Sequence, residues 1–149
     1  MDTTGPIDQV VNPVSVIDGN GNFYLSAQIT GEFIHIYDTR NATVERQIVS
    51  IPSTSLSNIV LIKYNNNGIL QWYTFISGVS QQPSISVDNR YVKGLNNSNI
   101  FISGTYINND IAVYNGTTEG FPDVSANLSS NAFDAFIVKY NKNGEFDWA

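Results

Sequence analysis

Short runs rich in Val, Ile, Phe and Tyr recur along the chain, separated by clusters of Asn, Gly, Ser and Asp. Runs of this length and composition suit half-buried strands on a pleated surface. No stretch holds its apolar residues on a helical period over three turns, so no helix is predicted. The runs fall into two sets of four strands. The first set is Pro13–Ile17, Asn22–Ile29, Ile59–Tyr64 and Ile69–Gly78; the second is Pro83–Val87, Asn99–Ile107, Ala135–Tyr140 and Glu145 to the end. Asp18-Gly19-Asn20-Gly21, Asn67-Gly68 and Asn143-Gly144 punctuate them, because Asn and Gly accept the positive φ of tight hairpin turns. The stretches joining strands two and three, roughly 30–57 and 108–133, are rich in Ser, Thr, Asn and Pro and read as long loops, with an extra strand at Phe33–Tyr37.

The two sets are copies of one another. The run from Ile62 to Trp72 matches the run from Val138 to Trp148 as aliphatic, Lys, Tyr, Asn, x, Asn, Gly, x, apolar, x, Trp, at a constant offset of 76 residues. Asn22–Ala27 matches Asn99–Gly104 at an offset of 77, and Ser15-Val16 matches Ser86-Val87 at 71. Six additional residues therefore fall in the first turn of the second copy, within 89–98, where insertions into a repeat are expected.

These residues carry a resemblance. Ser86-Val87-Asp88, the run from Asn99 to Gly104, Phe121-Pro122, the run from Asp134 to Tyr140, Asn143-Gly144 and Trp148 resemble the SBBP-type repeat of seven-bladed β-propellers. The first copy is more divergent. It keeps Val16, Asp18, Gly21-Asn22, Tyr24, Lys63-Tyr64, Asn67-Gly68, Trp72 and Ile76-Ser77-Gly78, but lacks the Phe-Pro and Asp-Ala-Phe elements. The resemblance implies an all-β chain of two four-stranded antiparallel propeller blades, at 13–78 and 79–149, after an N-terminal segment 1–12.

Two blades leave apolar faces and open strand edges in water, a state that repeat proteins avoid by stacking. The expectation is closure by homo-oligomerisation: a trimer makes six blades and a tetramer eight, whereas whole two-blade chains cannot make seven. The fourth strand stops soon after Trp148, and the 1–12 segment is about long enough to replace its end in a neighbouring copy, as an intersubunit strand closure. The abrupt stop at Trp148-Ala149 also reads as an excised or engineered pair of repeats.

Charge narrows the partners. Seven Lys and Arg against thirteen Asp and Glu give a net charge of −6, which is no footprint for nucleic acid or an anionic membrane. No apolar run is long enough for a transmembrane helix, and the N-terminus does not read as a signal peptide. The absence of cysteine removes disulfides, thiolate metal sites and cysteine nucleophiles.

The candidate chemistry is sparse. Asp18-Gly19-Asn20-Gly21-Asn22 opens like a calcium loop, but Phe23 and Ile29 stand where an EF-hand needs Gly and Glu, so a polar turn is expected and no metal. His35 is the single histidine and reads as a solvated strand residue rather than a catalytic base. Asp88, Asp110, Asp123 and Asp134 show no spacing that singles out a glycosidase pair. Four glycosylation sequons begin at Asn41, Asn96, Asn115 and Asn127. Neither catalytic nor cofactor-binding residues are assigned. Tyr64, Gly68, Trp72, Tyr140, Gly144 and Trp148 are assigned to the structural repeat, with the tryptophans packing between blades. The leading expectation is a non-catalytic scaffold or binding module for itself and a further protein, with Tyr106, Tyr114 and Phe121 on a loop-built binding surface. The alternative is a glycan-binding propeller with repeated weak sites.

Overall fold

The computed structural model describes residues 9–37, 45–52, 57–79, 81–88, 99–107, 110–129 and 131–149. Every regular element among them is a strand: β1 (Gln9–Ile17), β2 (Phe23–Thr30), β3 (Phe33–Tyr37), β4 (Glu45–Ser50), β5 (Ser57–Tyr64), β6 (Leu70–Val79), β7 (Gln81–Asp88), β8 (Asn99–Ile107), β9 (Asp110–Tyr114), β10 (Val124–Ser129), β11 (Phe133–Tyr140) and β12 (Phe146–Trp148). The chain is all-β, as expected.

Each repeat builds one antiparallel four-stranded meander, β1-β2-β5-β6 in the first and β7-β8-β11-β12 in the second. The copies agree down to their irregularities. A bulge breaks β1 between Val11 and Val14, and another breaks β7 between Gln81 and Ser84. Pro13 and Pro83 lie within these bulges, where a missing N–H costs no ladder bond. In the first bulge Asn12 takes a φ of 54°, a left-handed conformation that Asn tolerates. A second bulge recurs between Lys63 and Tyr64 and between Lys139 and Tyr140.

The turns are as local as the sequence suggests. Asn65 Oδ1 accepts the N–H groups of Asn67 (2.9 Å) and Ile69 (3.0 Å), and Asn141 Oδ1 accepts those of Asn143 (2.8 Å) and Glu145 (3.1 Å). Gly68 and Gly144 close these turns with φ values of 75° and 85°.

Three details differ from the sequence reading. Ile17 faces Phe23 and Val87 faces Ile100, which sets the first strands 70 residues apart rather than 71 and aligns Asp18 with Asp88. Second, β1 begins at Gln9, so 9–11 pair with β2 of their own repeat; 1–8 lie outside the described residues. Third, the stretches read as loops hold hairpins, β3-β4 in the first copy and β9-β10 in the second.

These hairpins set the architecture. β9 pairs with β6 of the preceding repeat, Ile76 opposite Val113 and Ser77 opposite Ala112. The first sheet is therefore six-stranded, β1-β2-β5-β6-β9-β10, with two strands supplied by the second repeat, and not a four-stranded blade. Gly78 permits the crossing, with a φ of 85° and so little room that a Cβ there would come within 2.5 Å of the Asp110 carbonyl oxygen. The Tyr73 and Thr117 backbones exchange two hydrogen bonds, and Thr74 Oγ1 donates to Tyr114 O at 2.6 Å.

Two apolar clusters result. One lies between the blades and joins Tyr24, Ile59, Leu61, Trp72 and Ile76 of the first repeat to Ile100, Ile102, Tyr106, Ile111, Val113, Phe136, Val138 and Tyr140 of the second. The other lies on the far face of the first blade, where Ile36, Val49 and Ile51 of the β3-β4 region cover Ala27, Ile29, Val60, Ile62, Tyr73 and Phe75.

Candidate functional site

Of the residues that mark the repeat, Trp72, Tyr140 and Gly144 meet at the junction of the two repeats. Trp72 is buried, 4% exposed, and tilts against Tyr24 with ring centroids 6.2 Å apart. Its ring covers the Asn141–Gly144 turn so closely that a Cβ on Gly144 would lie 2.7 Å from Trp72 Cδ2. Trp72 Nε1 donates to Lys142 O at 3.0 Å, and Lys63 Nζ donates to the same carbonyl at 2.6 Å. The second repeat's turn is thus gripped by a tryptophan and a lysine that face each other across β6 and β5 of the first.

Asp18 adjoins this group through Tyr24. Its carboxylate accepts the N–H groups of Asn20 and Asn22 (both 2.9 Å), the Asn22 amide (2.7 Å) and the Tyr24 hydroxyl (3.1 Å). Burial alone would raise the Asp18 pKa, but these hydrogen bonds outweigh it and hold the carboxyl below its ordinary value. Burial, then the Asp18 charge, pushes the Tyr24 hydroxyl well up. Burial depresses Lys63, partly offset by the attraction of Asp18. The Asp18 donors all come from residues 20–24, so the motif that opens like a calcium loop is a turn. Among the described residues no three His, Asp or Glu side chains gather as metal ligands would.

The second blade repeats the first blade's gripping face without a cover. Trp148 tilts against Phe101 with centroids 6.2 Å apart, as Trp72 does against Tyr24. Yet Trp148 is 45% exposed, and Ile137 and Phe133 on the same face of β11 as Lys139 are also exposed. The positions matching Phe101, Ile137 and Trp148 in the first blade are Tyr24, Leu61 and Trp72, all buried. Lys139, which matches Lys63, turns to Asp147 at 2.5 Å.

The first repeat's far face, partly covered by the β3-β4 region, carries two openings. A cavity of about 430 Å³ opens between blade and hairpin, lined by Leu25, Ala27, Ile29, Val60, Ile62 and Phe33. Beside it is a cleft of about 360 Å³ lined by Gly21, Phe23, Tyr37, Tyr64, Asn65, Asn66 and Gly68. Tyr64 is half-buried there, its hydroxyl donating to Tyr37 O at 3.0 Å, while its counterpart Tyr140 is fully buried between the blades.

Other sequence candidates are placed differently. Tyr106 and Tyr114 are buried, against Phe136 and Phe121 respectively, so neither ring is available as a binding surface; alternation within β8 and β9 turns them inward. Phe121 is half exposed and caps Phe75 and Tyr114. Burial also removes Trp72 as a stacking platform for a sugar. His35 is an exposed residue of β3. Asp110, Asp123 and Asp134 are exposed, and nothing is described of the Asp88 side chain. The sequons at Asn41 and Asn96 lie outside the described residues; Asn115 Oδ1 accepts the Phe146 N–H at 2.9 Å, and Asn127 is exposed.

The sequence reading missed the paired hairpins, although a signal was present. Phe33–Tyr37 and Asp110–Tyr114 stand 77 residues apart, the offset of β2 and β8, and share aliphatic residues at Ile34/Ile111 and Ile36/Val113 and a tyrosine at Tyr37/Tyr114.

Comparison with known proteins adds one relative. The chain is 26% identical over 136 residues to an uncharacterized WD repeat-containing protein of Acanthamoeba polyphaga mimivirus. The match covers 89% of this chain and spans about 9% of the relative's length. No protein-family profile and no solved structure matches the chain.

Proposed function

We propose that the chain is a non-catalytic pair of β-propeller blades that stacks with further copies into a closed ring and serves as a binding scaffold. One observation carries the reading: the apolar face that the first blade buries against the second recurs, uncovered, on the second blade. Repeat units hide such faces against a neighbour, and head-to-tail contacts that close give cyclic rings. The likeness to a WD repeat-containing protein supports a propeller-type array. A trimer gives six blades and a tetramer eight.

The ring would present its rim to a protein partner. Rigid sheets position rim segments for recognition, and the half-exposed Phe121 is an apolar contact available to such a partner. Light scattering coupled to size exclusion tests the assembly. A species of three or four times the 16.4 kDa chain mass is expected. A monomer that persists to millimolar concentration overturns the ring.

A further inference from the structure

We infer that a second copy of this chain seats its Trp148 in the cleft formed by Phe23, Tyr64 and the Asn65–Gly68 turn. The inference rests on the blade-stacking reading and specifies its interface.

The chain displays this contact once, between its own blades. Trp72 lies over Gly144 and donates to Lys142 O, which also accepts Lys63 Nζ. One repeat onward, the tryptophan and lysine are Trp148 and Lys139, both 76 residues further along. Trp148 already holds its ring against Phe101 with the geometry Trp72 has against Tyr24, so the side chain is arranged before any partner arrives. One repeat back, the receiving turn is Asn65–Gly68, with Asn66 in the place of Lys142.

The two turns match as acceptors. Gly68 N donates to Asn65 O at 2.9 Å, as Gly144 N does to Asn141 O at 3.0 Å, and the asparagine side chains cap both loops alike. Asn66 is therefore the counterpart in the first turn of Lys142, whose carbonyl accepts both donors. The walls correspond too: Ile100 and Tyr140, buried in the same cluster as Trp72, have Phe23 and Tyr64 as counterparts. Gly144 is buried beneath Trp72, whereas Gly68 lies in an open cleft of about 360 Å³.

The chemistry selects a copy of this chain over a sugar or an unrelated peptide. The cleft asks for an indole whose N–H meets one carbonyl and for an ammonium beside it, and the second blade's outer face carries that pair. Knob and socket lie on outward faces of different blades, so the contact runs head to tail.

Sedimentation velocity on the 149-residue chain and two variants tests the seat. Trp148→Ala removes the knob, and Phe23→Arg places a charge in the socket. Each should weaken association at least tenfold while near-ultraviolet circular dichroism from Trp72 is retained. An equimolar mixture keeps one intact knob and one intact socket, and should form a dimer but nothing larger. Fluorotryptophan labelling adds a site-specific readout: the Trp148 resonance should shift as the parent chain associates. Assembly of Trp148→Ala as strong as the parent's overturns the seat while leaving blade stacking intact. A parent chain that never associates overturns both.

Discussion

Trp72 and Gly144, 72 residues apart in sequence, touch so closely that the glycine has no room for a single carbon more. Gly144 also takes a φ of 85°, so backbone and packing both require it. Gly144→Ala should therefore lose about 2–5 kcal/mol, from strain and overpacking together. Urea titration followed by Trp72 fluorescence measures it. A loss under about 0.5 kcal/mol would show that the blades can separate locally at no cost.

Trp72 and Trp148 occupy one repeat position with opposite surroundings. Trp72→Ala opens a void between the blades and should cost about 3–5 kcal/mol. Trp148→Ala should cost under about 1 kcal/mol in the isolated chain, because nearly half of that side chain is exposed and its contact is with Phe101 at the surface. Denaturant midpoints measured at a concentration too low for association check the contrast; equal losses would contradict it.

The hairpin crossing depends on Gly78. A side chain there collides with the Asp110 carbonyl, and the neighbouring register holds Ser77 against Ala112. Gly78→Ala should pry β9 from β6 and abolish hydrogen-exchange protection at the amides linking Ile76, Ser77, Ala112 and Val113, while the β2–β5 amides stay protected. Uniform loss would mean that the hairpin and the blade unfold as one unit.

Asp18 gives a pH signature. Its folded pKa is depressed, so its contribution is fully present above the unfolded value near 3.8 and is lost as pH falls through the folded pKa. Asp18→Ala should lower stability by about 1–3 kcal/mol at neutral pH by orphaning its donors. The gap between parent and variant should narrow as the pH falls below about 4. A constant gap would show that the carboxylate's charge contributes nothing.

The strands and turns were legible because their causes are local. An Asx residue three positions before a glycine with positive φ closes Asp18–Gly21, Asn65–Gly68 and Asn141–Gly144 by the same hydrogen bonds, and alternating apolar residues fix each strand's register. The candidate site was legible in part. Of the repeated positions, Lys63, Trp72, Tyr140 and Gly144 meet between the two repeats, whereas Tyr64, Gly68, Lys139 and Trp148 lie on outward faces, and Tyr106 and Tyr114, read as surface, are buried at the junction and beneath Phe121.

By itself the sequence determined an all-β chain of two copies, the strands of each meander and the residues that mark their junction. Tertiary structure decided which edge each hairpin joins and which copy of each repeated side chain is covered. Backbone hydrogen bonds at a strand edge carry no side-chain identity, so nothing in Asp110–Tyr114 names β6 as its partner. Burial is a property of neighbours: Trp72 and Trp148 share a motif and an aromatic contact within the blade, and only the adjacent blade makes one of them core.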